Sequence, residues 1–201
     1  MNFLAHGLLA GDASADRAGG LMGDFIKGLL PGKLPADLAA GVELHRAIDS
    51  FADRHPAFMA SRARISPMRR RVGGILADLF YDHLLARDWA AFSPYPLEEY
   101  TRALYGSLAP YRAFLPEEAR SIADRMRTQD WLSSYRDVAA VGQAIDRMAV
   151  HRMRRPNPLA GGIEEFLARG DEFAADFAVF LPDALAFAAD WRASRELTRH
   201  S

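Results

Sequence analysis

Apolar residues in this chain recur at three- and four-residue intervals over long stretches, and that periodicity decides the fold class. Leu38, Val42, Ile48 and Phe51 form one stripe; Leu76, Leu79, Phe80 and Leu84 a second; Phe173, Phe177, Phe180 and Leu181 a third. Each stripe covers one face of a helix and is a core face by default. No stretch of two-residue alternation bounded by turns occurs, so no sheet is expected. Prolines mark helix starts: Pro35 precedes Ala36 and Asp37, Pro96 precedes Leu97, Glu98 and Glu99, and Pro116 precedes Glu117 and Glu118. Proline supplies the helical φ, and the acids complement the helix dipole. The expected helices cover about 2–10, 18–29, 35–52, 56–64, 68–88, 96–109, 116–127, 129–135, 137–150, 162–169 and 171–197, with the last broken or bent at Pro182.

The loops, at Leu30-Pro31-Gly32-Lys33, Phe92-Ser93-Pro94-Tyr95 and Arg155-Pro156-Asn157-Pro158, are short, and no repeat or low-complexity tract occurs. With 201 residues, half of them hydrophobic and a quarter charged, the expectation is one all-α domain spanning residues 1–201.

Composition excludes several classes of function. There is no cysteine, hence no disulfide, thiolate metal site or cysteine nucleophile, which fits a cytoplasmic protein. Met1 to Ala10 is apolar but lacks a basic leader and is interrupted by Asn2 and His6, so it does not read as a signal peptide. No apolar run reaches a membrane-spanning length. A net charge of −1 favours neither nucleic acid nor membrane. Of the 25 cationic side chains only Lys27 and Lys33 are lysine; an Ala-rich chain suggests a genomic bias, but arginine also recognises phosphate and carboxylate bidentately. There is no Walker A pattern, no GxSxG elbow and no GxGxxG.

The residues with ligand chemistry crowd into the first 90 positions: His6, His45, His55 and His83 with Asp24, Asp49, Asp53, Asp78 and Asp82. His45 and Asp49 are four apart, as are Asp49 and Asp53, and Asp78 and Asp82. On a helix such pairs share a face about 6 Å apart, and two facing stripes would enclose a carboxylate–imidazole pocket between helices. Each residue also has an ordinary reading on its own. His6 could be a core histidine bonded to a carbonyl, Asp24 a surface partner of Lys27, and His45 and Asp49 a solvated stripe. Asp82-His83 stands out because the segment around it is almost wholly apolar, where charge is costly without a partner. Oxygen and imidazole donors without sulfur suit Mn²⁺, Mg²⁺, Fe or Zn²⁺, and such a site activates water and neutralises phosphate.

Several motifs carry a resemblance. Met1-Asn2-Phe3-Leu4-Ala5-His6, Gly23-Asp24-Phe25-Ile26-Lys27-Gly28, Gly41-Val42-Glu43-Leu44-His45-Arg46-Ala47-Ile48-Asp49 and Asp53-Arg54-His55-Pro56 resemble the acyl carrier protein phosphodiesterase family. Tyr81-Asp82-His83-Leu84 with Trp89, Trp131-Leu132 with Tyr135-Arg136, and Phe173 to Pro182 are similar as well, so the resemblance spans essentially the whole chain. It implies an all-helical fold distantly related to the HD metal-dependent phosphohydrolases. It also implies hydrolytic removal of 4′-phosphopantetheine from holo-acyl carrier protein with Mn²⁺ or Mg²⁺. Two departures stand out: Gly7 replaces a bulkier apolar residue, and the His-Asp dipeptide of ordinary HD enzymes is absent, the nearest being the reversed Asp82-His83.

Spacing and family motifs together nominate His6, Asp24, His45 and Asp82 as metal ligands, with Asp49 and His83 next and able to shuttle a proton. Lys27 and Arg46 are the candidates for holding the phosphate oxygens. Arg62, Arg64, Arg69, Arg70 and Arg71, and then His151, Arg152, Arg154 and Arg155, are candidates for docking a strongly acidic carrier protein; the triplets Arg69, Arg70, Arg71 and Arg152, Arg154, Arg155 are the first choices. The alternatives are an HD-like hydrolase of nucleotides or other small phosphoesters, and a non-catalytic helical binding protein.

Overall fold

A computed structural model describes residues 3–151 and 157–199; Arg152, Arg154 and Arg155 lie outside the described residues. Among the described residues the regular structure is entirely helical: α1 (Phe3–Leu9), α2 (Ser14–Met22), α3 (Ala36–Arg54), α4 (Pro56–Arg64), α5 (Gly73–Arg87), α6 (Leu97–Gly106), α7 (Glu117–Gln129), α8 (Trp131–Ser134), α9 (Val138–His151) and α10 (Ile163–Arg199). Short 3₁₀ turns cover Gly23–Phe25, Pro67–Val72, Trp89–Ala91 and Ala109–Phe114. The all-α expectation holds.

α5 is the hub. Its residues from Leu76 to Ala86 are buried on nearly every side, including the polar Asp82 and His83, which is the pattern of a central rather than a surface helix. α1, α4, α8, α9 and α10 pack around it. Phe80 and Tyr81 are the largest side chains sealed at its centre, with Phe173 and Phe180 supplied by α10. Each ring contributes roughly 1.5–3 kcal/mol by leaving water, and the edge-to-face contacts Phe80–Phe173 and Tyr81–Phe177 set their orientation.

α2 and α3 lie backbone against backbone. A Cβ on Gly19 would fall 2.2 Å from the carbonyl carbon of Gly41, and one on Gly41 would fall 2.4 Å from the Ala15 oxygen. Only two glycines facing each other permit that approach. α1 rests on both α2 and α5, and α2 on α3, so α1, α3 and α5, the helices bearing His6, His45 with Asp49, and Asp82 with His83, are gathered around α2 and the core.

Three expectations change. The helix expected over 18–29 begins at Ser14 and ends at Met22, so Asp24 stands in a 3₁₀ turn and Lys27 in a loop. Gly28 at φ +89° and Gly32 at φ +56°, with Pro31 between them, are incompatible with continued helix. The expected Asp24–Lys27 helical face therefore does not form. The start of the helix expected over 68–88 is 3₁₀ as far as Val72, and α5 opens at Gly73. In α10 the non-helical residue is Arg169 (φ −142°, ψ 28°), beside Gly170, while the chain stays helical through Pro182. The buried neighbours Phe180, Leu181 and Ala184 hold that turn against proline's intrinsic cost.

Candidate metal centre

His6 on α1 and His45 and Asp49 on α3 converge. One ligand atom from each lies within 4.8 Å of the others, a group able to hold a metal ion. The His6 and His45 rings stack at 3.9 Å between centroids. Asp49 bridges them, with Oδ1 3.0 Å from His6 Nε2 and Oδ2 3.2 Å from His45 Nε2. Asp24 reaches in from the 3₁₀ turn, its Oδ1 3.4 Å from His45 Nε2.

Each ring is aimed by its surroundings. His45 Nδ1 donates to the Gly20 carbonyl at 3.0 Å, which turns Nε2 toward the carboxylates; that is the arrangement by which outer contacts orient metal-binding histidines. The ring fits because position 23 is glycine: a Cβ there would lie 2.4 Å from His45 Cγ. α1 is held by Asp82, whose two oxygens accept the backbone N–H groups of Leu4 (3.0 Å) and Ala5 (2.9 Å).

The electrostatics follow from burial and crowding. Burial, reinforced by the neighbouring His45, drives the His6 pKa down to about 3, so this ring is neutral with a lone pair to offer. Burial also opposes charge on His45, but hydrogen bonds to Asp24 and Asp49 outweigh it and raise the pKa to about 9. Asp49 is also disfavoured by burial, yet hydrogen bonds from His45 and His6 hold its carboxyl far below the usual range. The hydrogen bond to His45 lowers Asp24 as well.

Asp24 and Asp49 also line a cleft of about 240 Å³ shared with Asp53, Asp78, Arg62, Gly74, Ala52 and Phe58. Burial raises the Asp78 carboxyl to about 6, and the Asp49 charge adds to that rise.

The structure therefore brings together His6, His45, Asp49 and Asp24 and posts the other expected residues elsewhere. Asp82, expected as a ligand, is fully buried and spends both oxygens on α1 amides; these bonds offset part of the cost of burial, which still raises the carboxyl to about 7. His83 gives Nδ1 to the Tyr135 carbonyl at 2.7 Å and lines a different cleft, with Arg87, Arg136 and Phe166. Arg46 donates to the Ile26 carbonyl at 3.0 Å and so braces the loop after Asp24. Lys27 is exposed on that loop. His55 caps α4, accepting from Ala57 N–H, and pairs with Asp183 at 3.1 Å. Arg62, expected in a docking cluster, instead lines the cleft with Gly74; the two stand on different helices from the His45–Asp49 stripe, so no spacing within one helix joins them to it. Asp53 and Asp78 were visible as members of four-residue pairs.

A buried imidazole–carboxylate cluster opening into an acidic cleft of an all-helical protein defines a candidate metal-dependent hydrolase site. Residues 1–184 match the acyl carrier protein phosphodiesterase family, and the chain belongs to it. An acyl carrier protein phosphodiesterase of Photorhabdus laumondii is 33% identical over 183 residues, covering 90% of this chain and 92% of that protein. One from Pectobacterium atrosepticum is 31% identical, covering 90% and 94%, and one from Serratia proteamaculans is 30% identical, covering 94% and 98%. No solved structure matches the chain.

Proposed function

We propose that this chain hydrolyses the phosphodiester joining 4′-phosphopantetheine to the serine of holo-acyl carrier protein, releasing 4′-phosphopantetheine and apo-protein in the cytoplasm. In this reading residues 1–201 act as one HD-like helical domain with Mn²⁺ or Mg²⁺ as cofactor. The observation that carries it is the His6–His45–Asp49 cluster, whose Asp49 lines a cleft with Asp24, in a member of this family.

The donor set fits a divalent cation. His6 is kept neutral, and among the described residues its buried Nδ1 has no hydrogen-bond partner, while Asp49 is kept ionised. His6, His45 and Asp49 would hold the ion with Asp24 at the rim. The bound cation supplies Lewis-acid activation of water and neutralisation of phosphate charge. The protein's own share is positional. The Gly20 carbonyl fixes the His45 ring, Asp82 fixes α1, and Arg46 fixes the loop behind Asp24. Water attacks phosphorus, the serine oxygen leaves, and that oxygen needs a proton. His83 lines another cleft, so proton transfer falls to the carboxyls lining this one, with Asp78 suited because burial raises it to about 6.

Docking is assigned to the basic segment between α4 and α5. Arg69 is engaged internally with Glu165 and the Ala160 carbonyl, which leaves Arg70 and Arg71, both exposed, to meet an acidic carrier. Among the described residues no helix is long and apolar enough to cross a membrane.

The test is intact-mass spectrometry of holo-acyl carrier protein incubated with this protein and Mn²⁺, with an EDTA control. The expected result is metal-dependent loss of the phosphopantetheine mass. No loss despite bound metal would reject the carrier substrate in favour of a small phosphoester. Asp24→Ala should abolish the loss while leaving the fold intact, because Asp24 is 62% exposed.

A further inference from the structure

A cleft lined by four aspartates repels the anion it is meant to receive. Among the residues lining it, Arg62 is the one cation. Its guanidinium approaches from α4 over the start of α5, where position 74 is glycine; a Cβ there would lie 3.9 Å from Arg62 Nε, with nothing else within 4 Å. The surface beside the guanidinium is therefore open backbone at the first turn of a 15-residue helix, whose amide dipoles add positive potential. Arg62 is paired with Asp53 at 3.0 Å, but the two side chains are 44% and 67% exposed. A pair that open to water is weak, and a phosphate offering two oxygens to the guanidinium fork is the stronger partner.

We propose that Arg62 is the phosphate-binding residue of this cleft, with Asp53 as the counter-ion it exchanges for the substrate's non-bridging oxygens. The assignment rests on the phosphodiesterase reading and replaces the two cations expected from sequence. Arg46 is committed to the Ile26 carbonyl, and Lys27 does not line the cleft. It also gives the aspartates separate tasks, with Asp24 and Asp49 serving the metal and Asp53 holding the arginine in place between turnovers.

The test is calorimetric titration of inorganic phosphate into the Mn²⁺-loaded full chain, with Mn²⁺ affinity measured separately, for wild type, Arg62→Ala, Arg62→Lys and Asp53→Asn. Removing charge-assisted hydrogen bonds should weaken phosphate binding by about 10- to 100-fold in Arg62→Ala, with Mn²⁺ affinity within about twofold of wild type. Arg62→Lys should fall between, and Asp53→Asn should bind phosphate at least as tightly as wild type. With holo-acyl carrier protein, Arg62→Ala should raise KM more than it lowers kcat. Phosphate binding in Arg62→Ala equal to wild type overturns the assignment, as does parallel loss of Mn²⁺ or an equal loss of phosphate in Asp53→Asn. If wild type still releases phosphopantetheine in those cases, only the role of Arg62 falls. If Mn²⁺-loaded wild type neither binds phosphate nor releases phosphopantetheine, the phosphodiesterase reading fails and the assignment with it.

Discussion

At His45 a proton and a cation compete for one nitrogen. Nδ1 is tied to Gly20, so Nε2 is the atom facing Asp24, Asp49 and the stacked His6 ring. Without metal the two carboxylates keep a proton there up to about pH 9. Binding a cation must release it. With the folded pKa raised to about 9, the proton is almost fully present well below that pH and is lost as pH rises through it. Mn²⁺ affinity should therefore rise about tenfold per pH unit until about one unit below that pKa and level off above it. Calorimetry in two buffers of different ionisation heat should count about one proton released at pH 7.5. A flat affinity profile would remove His45 from the ligand set. The His45–Asp49 spacing was legible because both lie one turn apart on α3. The pairing of His6 with Asp49 was not, since it spans 43 positions and depends on how α1 docks.

At the scale of elements, the site is an intersection of helices, so the residues that set their spacing matter as much as the donors. Asp82 illustrates this: read locally it is a charge in an apolar segment and hence a ligand, but its partners are two amides of another helix. An N-terminal cap for α1 and a metal ligand predict different behaviour. Asp82→Asn keeps one acceptor and turns an N–H toward the other amide. It should lose about 1–3 kcal/mol of stability, measured by denaturant unfolding in EDTA, yet still gain stability when Mn²⁺ is added. Loss of that gain would make Asp82 a ligand after all. The Gly19–Gly41 contact sets the spacing of α2 and α3. Gly19→Ala drives a methyl into backbone that cannot retreat, so about 1–3 kcal/mol of overpacking cost is expected, with weaker Mn²⁺ binding because α3 carries two donors. Gly106→Ala, with nothing within 4 Å of its Cβ, is the control and should be neutral or slightly stabilising. Periodicity foretold most of the helices; it misjudged residues 23–29, where the turn at Gly23–Phe25 and Gly28 at positive φ overrode an amphipathic pattern.

Over the whole molecule, charge is nearly balanced at −1, so attraction of an acidic protein must come from a local face. The 3₁₀ segment Pro67–Val72 carries three consecutive arginines and leads through Gly73 into Gly74, which lines the cleft. Arg69 anchors that segment to α10 through Glu165, which holds Arg70 and Arg71 outward beside the place where chemistry would occur. A charged surface acts mainly on encounter and is screened by salt. Arg70→Glu with Arg71→Glu should therefore raise KM for holo-acyl carrier protein about tenfold or more at low ionic strength, with the gap to wild type narrowing as salt is added. Hydrolysis of bis(p-nitrophenyl) phosphate, which needs no docking face, should be unchanged in the double variant. Equal loss on both substrates would place the two arginines in support of the fold or cleft. Unchanged kinetics on the carrier would move its docking to another face of the helical body.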